Sequence, residues 1–228
     1  MTTIIFASIA PTLALLIYFY LKDEYNPEPI SMIAKSFLLG MICIIPISFF
    51  QFIIHLELIK FSFLNQALFF ASIPEETLKW ILFYVLIYSN KEFDEPIDGI
   101  VYAVTISLGF ATIENILYLF TYGVKFALMR ALFPVSSHCI FGIIMGYFYG
   151  KAKFSQKSKK LFFALSLLMP VLLHTNFDFL IISKAKWIYY LTPFMLSMWF
   201  IAMYTVKRMH HKTTEMHMKS LLDTQEAS

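Results

Sequence analysis

The sequence predicts an all-α, polytopic transmembrane helical bundle, and three observations point there. Of the 228 residues, 59% are hydrophobic and 14% charged, against about 45–50% and 25% in a soluble domain. The mean hydropathy is +0.69. Apolar runs of roughly 20 residues, the length that crosses a hydrocarbon core of about 30 Å, recur along the chain between short polar connectors.

The first run, 2–21, has no basic segment before it and no small-residue cleavage site after it, because "YFYLKDEYNPEP" follows directly. It reads as a retained helix and not as a removed signal peptide. Further runs lie at 31–54, 63–89, 98–121, 126–149, 161–183 and 187–206, so the bundle has about seven or eight spans. The connectors "NKEFDEP", "TYGVK", "GKAKFSQKSKK" and "SKAK" hold the turn and charge signals. Residues 1–206 read as one transmembrane domain, and 207–228 as a basic, flexible cytoplasmic tail. Many of the 25 Phe and 13 Tyr stand near run ends, where aromatic belts form. Cys43 and Cys139 lie inside apolar runs and imply no disulfide framework.

Lys and Arg set the orientation. With the N-terminus outside, twelve of them face one side, and Lys60, Lys125, Arg130, Lys184 and Lys186 face the other. Lys79, within a span, completes the eighteen. The positive-inside rule then places the N-terminus outside and the C-terminus in the cytoplasm. Nucleic acid is excluded as a partner: the basic loop 151–160 has Phe154 as its one aromatic residue and no reading scaffold. The lipid bilayer is the partner that composition requires.

The informative residues are those that do not belong in lipid. "SIPEETLKWILFYVLIY", 72–88, carries Glu75, Glu76 and Lys79, and each charge at a bilayer centre costs about 2.5–3.5 kcal/mol on insertion scales. The other spans add Glu114 and Asn115 in "LGFATIENILYLF", His138 in "PVSSHCIFG", and His174 with Asp178 in "LLHTNFDFL". Lys79 is one helical turn from both glutamates, and Asp178 one turn from His174, so each set shares a face. Gly142, Gly146 and Gly150 continue the His138 stripe at four-residue steps, which predicts close helix packing there. In the orientation above, Glu75, Glu114, His138 and His174 fall at or somewhat outward of mid-bilayer.

Each feature also has a structural reading. Ser72 and Glu75 have capping-box spacing, and Pro74 suits a first helical turn, so the third span is expected to break near 72–74. Such a break would aim free N–H groups at negative charge. Pro170 suggests a kink in the sixth span. Glu76–Lys79 has a second reading as a buried ion pair, Glu114–Asn115 as an interhelical clasp, and either histidine as a satisfied core residue. Asp98 reads as a helix-start residue at the membrane edge, and His210, His211 and His217 as part of a solvated tail.

As a functional set, these groups suit hydrolysis. A carboxylate in a poorly solvated site can take a proton from water and return it to a leaving amine. Neutral histidines can position that water, or ligate zinc together with a carboxylate; His138, His174 and Glu76 are the zinc candidates. The HExxH, GxSxG and paired-aspartate signatures are absent.

In order and spacing, "EETLK", "LGFATIEN", "SSHCIFGIIMGYFYGKA" and "LLHTNFDF" resemble the PrsW family of bacterial intramembrane proteases. "YFYLKDEYNPEP", "FDEPIDGIVY" and "WIYYLTPF" also resemble that family, so the likeness covers nearly the whole chain before the tail. It implies kinship with the CAAX-protease and bacteriocin-processing group. It also implies a plasma-membrane protease that makes the first, extracytoplasmic-side cut in a single-pass anti-sigma factor and so activates a stress sigma factor. On this resemblance the catalytic positions are Glu75, Glu76, Glu114, His138, His174 and Asp178, with Lys79 and Asn115 tuning the pocket. The family is labelled a metalloprotease, whereas related enzymes use glutamate-activated water, so zinc remains one of two versions. Two rival readings are a proton- or ion-coupled transporter, which also uses Glu/His/Asp relays, and a non-catalytic scaffold of the same fold.

Overall fold

The computed structural model describes residues 1–56, 62–183 and 186–226, and every regular element among them is helical. Lys60 and Lys184, both used in the orientation count, lie outside the described residues. The order is α1 (Thr2–Tyr20), α2 (Ile30–Ile42), α3 (Ile44–Leu56) and α4 (Phe63–Asn65). A π-helical stretch, Gln66–Ser72, leads into α5 (Ile73–Phe83) and a second one, Tyr84–Tyr88. Then come α6 (Asp98–Tyr122), a 3-10 turn (Val124–Phe126), α7 (Ala127–Arg130), a third π stretch (Ala131–Val135) and α8 (Ser136–Phe154). Two long helices, α9 (Lys159–Ser183) and α10 (Trp187–Glu226), complete the chain.

Among the described residues, five helical runs are long and apolar enough to cross a membrane: Thr2–Tyr20, Ile30–Ile54, Asp98–Tyr122, Val124–Phe154 and Lys159–Ser183. The expected spans 63–89 and 187–206 are largely helical but not among them. The first carries three charges, and the second is rich in Trp and Tyr. Burial separates centre from rim: 78% of the apolar stretch of α6 is buried, against 17% for Thr2–Tyr20 and for Ile30–Ile54. An apolar helix with little buried surface must turn side chains such as Phe6, Leu38 and Phe49 to lipid.

The glycines explain how α6 and α8 share the centre. A Cβ added to Gly146 would sit 2.1 Å from the Gly99 carbonyl oxygen, and one on Gly99 would sit 2.6 Å from that of Gly146. The two backbones touch where no side chain fits, as the glycine stripe predicts. Gly146→Ala is therefore expected to lower stability by about 1–3 kcal/mol through overpacking. An unchanged unfolding temperature in detergent would contradict that contact.

The expected break at residues 72–74 does not occur. Ser72 is helical, and its hydroxyl donates to the carbonyl of Ala67, five residues back, at 2.7 Å, without capping α5. The wider π stretch carries the helix into Pro74, whose ring nitrogen has no proton for the carbonyl of Phe70. Gln51 of α3 donates to that carbonyl at 2.9 Å. No helix N-terminus is thus available there as an oxyanion donor. The helix α9 continues through Pro170.

The tail expected to be loosely ordered continues α10 to Glu226. Met209 and Thr213 are buried, Thr213 Oγ1 accepts from the backbone N–H of Ile97 at 3.2 Å, and His217 stacks on Tyr25 at 4.9 Å. These contacts hold the helix against the 21–29 and 90–97 connectors.

Candidate active site

Five elements deliver the polar residues to one place. α5 brings Glu75, Glu76 and Lys79; α6 brings Glu114 and Asn115; α7 brings Arg130; α8 brings His138; α9 brings His174 and Asp178. Two of the three π stretches directly precede α5 and α8. Such widened turns shift the side chains that follow, and they recur at functional sites.

Lys79 stands at the hub, fully buried. Its ammonium donates to Glu76 Oε1 at 2.8 Å, lies 3.2 Å from His138 Nδ1 and 3.7 Å from Glu75 Oε2, and sits 4.3 Å from the centre of the Phe110 ring. An ammonium only donates, so His138 Nδ1 must accept and Nε2 must carry the ring proton. That proton points at Glu114 Oε2, 2.7 Å away. Glu114 Oε1 in turn accepts from Arg130 at 3.0 Å.

His174 lies between two carboxylates, with Nδ1 3.0 Å from Glu76 Oε1 and Nε2 3.3 Å from Asp178 Oδ2. An imidazolium satisfies both with its two N–H groups. The ring stacks on Phe141 with centroids 4.8 Å apart, and the two histidine rings are 5.4 Å apart, edge to face. The eight candidate site residues therefore belong to one connected network, Asn115 joining it through Arg130.

They do not hold equal positions in it. A cavity of about 170 Å³ is lined by Glu75, Glu114, Arg130, His138, His174 and Asp178, closed by Ala71, Pro134, Phe177 and Ile181. Glu76, Lys79 and Asn115 are not among its lining residues. Glu76 is fully buried, with Oε1 tied to Lys79 and His174, and Oε2 of each glutamate makes no hydrogen bond, so it is the cavity lining that separates the two. Asn115 behaves as a clasp: its Nδ2 donates to the Ser8 carbonyl at 2.9 Å, and its Oδ1 accepts from Arg130 Nε at 3.1 Å.

Arg130 is the site residue that sequence reasoning missed, having counted it only as a loop charge. A signal was present. Arg130, Pro134 and His138 are spaced by four, and the chain stays helical from 127 to 138, so all three line one cavity wall.

A bundle of apolar helices that gathers acids and imidazoles around a cavity with room for water has the parts of a membrane-embedded hydrolase. Comparison with known proteins narrows this. Residues 28–206 match the family described as "PrsW family intramembrane metalloprotease". Relatives named "Protease PrsW" include one from Geobacillus kaustophilus, 47% identical over 91% of this chain and 92% of its own length. Another, from Oceanobacillus iheyensis, is 48% identical over 93% and 99%, and one from Bacillus subtilis is 44% identical over 91% and 96%. No solved structure matches the chain. The chain belongs to the PrsW family of intramembrane proteases, multi-pass proteins of the bacterial plasma membrane.

The family's description implies a metal, and the donor chemistry at first looks suitable. Ligating atoms of Glu75, Glu76 and His138 lie within 4.8 Å of one another. Yet the Lys79 ammonium contacts all three of these residues, holding a positive charge where an ion would sit. Neither imidazole has a lone pair to spare, since His138 Nδ1 accepts from Lys79 and both nitrogens of His174 face carboxylates. In this arrangement the residues do not fit a metal ion.

Proposed function

We propose that the chain hydrolyses a peptide bond in a single-pass membrane protein of the anti-sigma-factor type, using a water activated by Glu75. The observation that carries this reading is the place of Glu75: unlike Glu76 it lines the cavity of about 170 Å³ beside both histidines, and its Oε2 accepts no hydrogen bond. Glu75 takes the proton of the attacking water and returns it to the leaving amine. Arg130, on the same wall, supplies positive charge to the tetrahedral oxyanion. Glu76 and Lys79 act as positioning residues behind the cavity, and Asp178 orients His174. Glu114 holds His138 in the tautomer described above.

The topology belongs to the same proposal. Seven spans, counting 63–88 and the first half of α10, with the N-terminus outside, put the cavity in the outer half of the bilayer. The cut is then the first step of regulated proteolysis, made near the extracytoplasmic face.

The test is purified protein in detergent with a candidate single-pass substrate, with and without chelator, and with products mapped by mass spectrometry. Cleavage is expected within the outward half of the substrate's transmembrane segment, at the same rate after chelation. Chelation that stops cleavage, with zinc restoring it, would refute the metal-free mechanism and require Lys79 to move aside. Ion flux in proteoliposomes without any peptide cleavage would favour the transporter.

A further inference from the structure

Two stretches singled out from the sequence take no part in the active site: "KDEYNPEP" after α1 and "FDEPIDGIVY" at the start of α6. The fold brings them together. Asp23, Glu28, Glu95 and Asp98 are 2%, 3%, 8% and 0% exposed. Ligand-capable oxygens of Asp23, Glu95 and Asp98 lie within 4.8 Å of one another. Asp98 opens α6 and Glu114 lies about 24 Å further along it at 1.5 Å per residue, so this cluster is separate from the hydrolytic cavity.

Hydrogen bonds take up one oxygen each of Asp23, Glu28 and Asp98. Asp23 Oδ2 accepts from the Glu28 backbone N–H at 3.1 Å, Asp98 Oδ2 accepts from the Glu95 N–H at 2.6 Å, and the Tyr102 hydroxyl donates to Glu28 Oε2. The other oxygens, Asp23 Oδ1, Glu28 Oε1 and Asp98 Oδ1, together with Glu95 Oε2, are buried without a partner. Glu28 stands outside the close trio, and although Tyr102 donates to its Oε2, its Oε1 is buried without a partner.

Among the described residues, no Lys or Arg forms an ion pair with any of the four. Lys153, the nearby cation, donates instead to the carbonyls of Tyr88 and Asn90 at 3.1 and 3.3 Å. Four buried like charges without a counter-charge are strongly unfavourable, because each loses hydration and repels the others.

We propose that Asp23, Glu28, Glu95 and Asp98 form a binding site for one hard divalent cation, which pins the 21–29 connector and α2 to the start of α6. The donor set is all oxygen, with no imidazole or thiolate, which selects the magnesium, manganese and calcium class over zinc. Oxygens within 4.8 Å of one another are spanned by a central ion with bonds of about 2.4 Å.

The test uses the full chain in detergent, stripped with chelator, and three probes: Mg²⁺, Mn²⁺ and Ca²⁺ at millimolar concentration. At least one is expected to raise the unfolding temperature by roughly 5 °C and to bind with one-to-one stoichiometry in calorimetry. The shift should persist in Glu76→Gln and vanish in Glu95→Gln and in Asp98→Asn. Should those two variants fail to fold, terbium is the second measurement. Tyr102, bonded to Glu28, should sensitise terbium emission in the unmodified chain; Ca²⁺ should compete it away, and Tyr102→Phe should abolish it. Absence of binding by all three probes, or a shift that survives Glu95→Gln but not Glu76→Gln, would overturn the proposal.

Discussion

Glu75→Gln is expected to lower substrate cleavage by about 10²–10⁴-fold, the usual contribution of a general base, while leaving the protein at its normal level in the membrane. The amide keeps the shape of the side chain but cannot take a proton from water. Folding should tolerate the change, because Glu75 Oε2 makes no hydrogen bond and is 3.7 Å from the nearest cation. Glu76→Gln should also depress cleavage, by a different route. Glu76 Oε1 accepts from both Lys79 and His174, so losing its charge loosens two other site residues and lowers the unfolding temperature as well. The pair separates chemistry from positioning: Glu75→Gln changes rate alone, Glu76→Gln rate and stability together. Both are read from product formation in cells co-expressing a single-pass substrate and from thermal unfolding of the purified variants. A Glu75→Gln protein that cleaves at the normal rate beside an inert Glu76→Gln protein would transfer the base to Glu76.

The site was legible in the sequence because its residues are misfits. Seven of the eight candidate positions are ionisable groups inside apolar runs, and lipid offers such groups no stable place except against one another. Asn115 was found as a neighbour of Glu114. The glycine stripe after His138 was readable for the same kind of reason, since helices that close need residues without side chains. What could not be read was anything decided by helix geometry between elements. Ser72 and Glu75 have capping-box spacing, but the π stretch before them keeps the helix running and sends the Ser72 hydroxyl back to Ala67. Arg130 looked like a loop charge, because its burial depends on α7 folding back toward α6. Asp98 looked like a lone helix-start residue; of its carboxylate neighbours, Asp23 and Glu28 come from a connector some seventy positions earlier. The tail's order likewise rests on long-range contacts, such as that between Thr213 and Ile97.

Removing the hub cation should have the largest effect on stability. Lys79→Met takes a fully buried ammonium from Glu76, Glu75 and His138 and leaves two buried carboxylates without their counter-charge. Breaking a buried pair by deleting one partner costs about 3–5 kcal/mol, so the variant is expected to accumulate poorly and to unfold well below the parent chain. Lys79→Arg should not rescue it, because the planar guanidinium is larger than the ammonium it replaces and the site is closely packed by Phe110 and His138. The double variant Lys79→Met, Glu76→Gln removes both charges and should regain most of the stability while remaining inactive. That recovery is the signature of a charge-compensation role, since a purely steric role for Lys79 predicts no benefit from the second change. Lys79→Met also bears on the metal question. With the ammonium gone, Glu75, Glu76 and His138 keep ligating atoms within 4.8 Å of one another, and added zinc is expected to restore part of the lost stability. A Lys79→Met protein as stable as its parent, and indifferent to zinc, would mean that the ammonium neither holds the carboxylates nor occupies a metal's position.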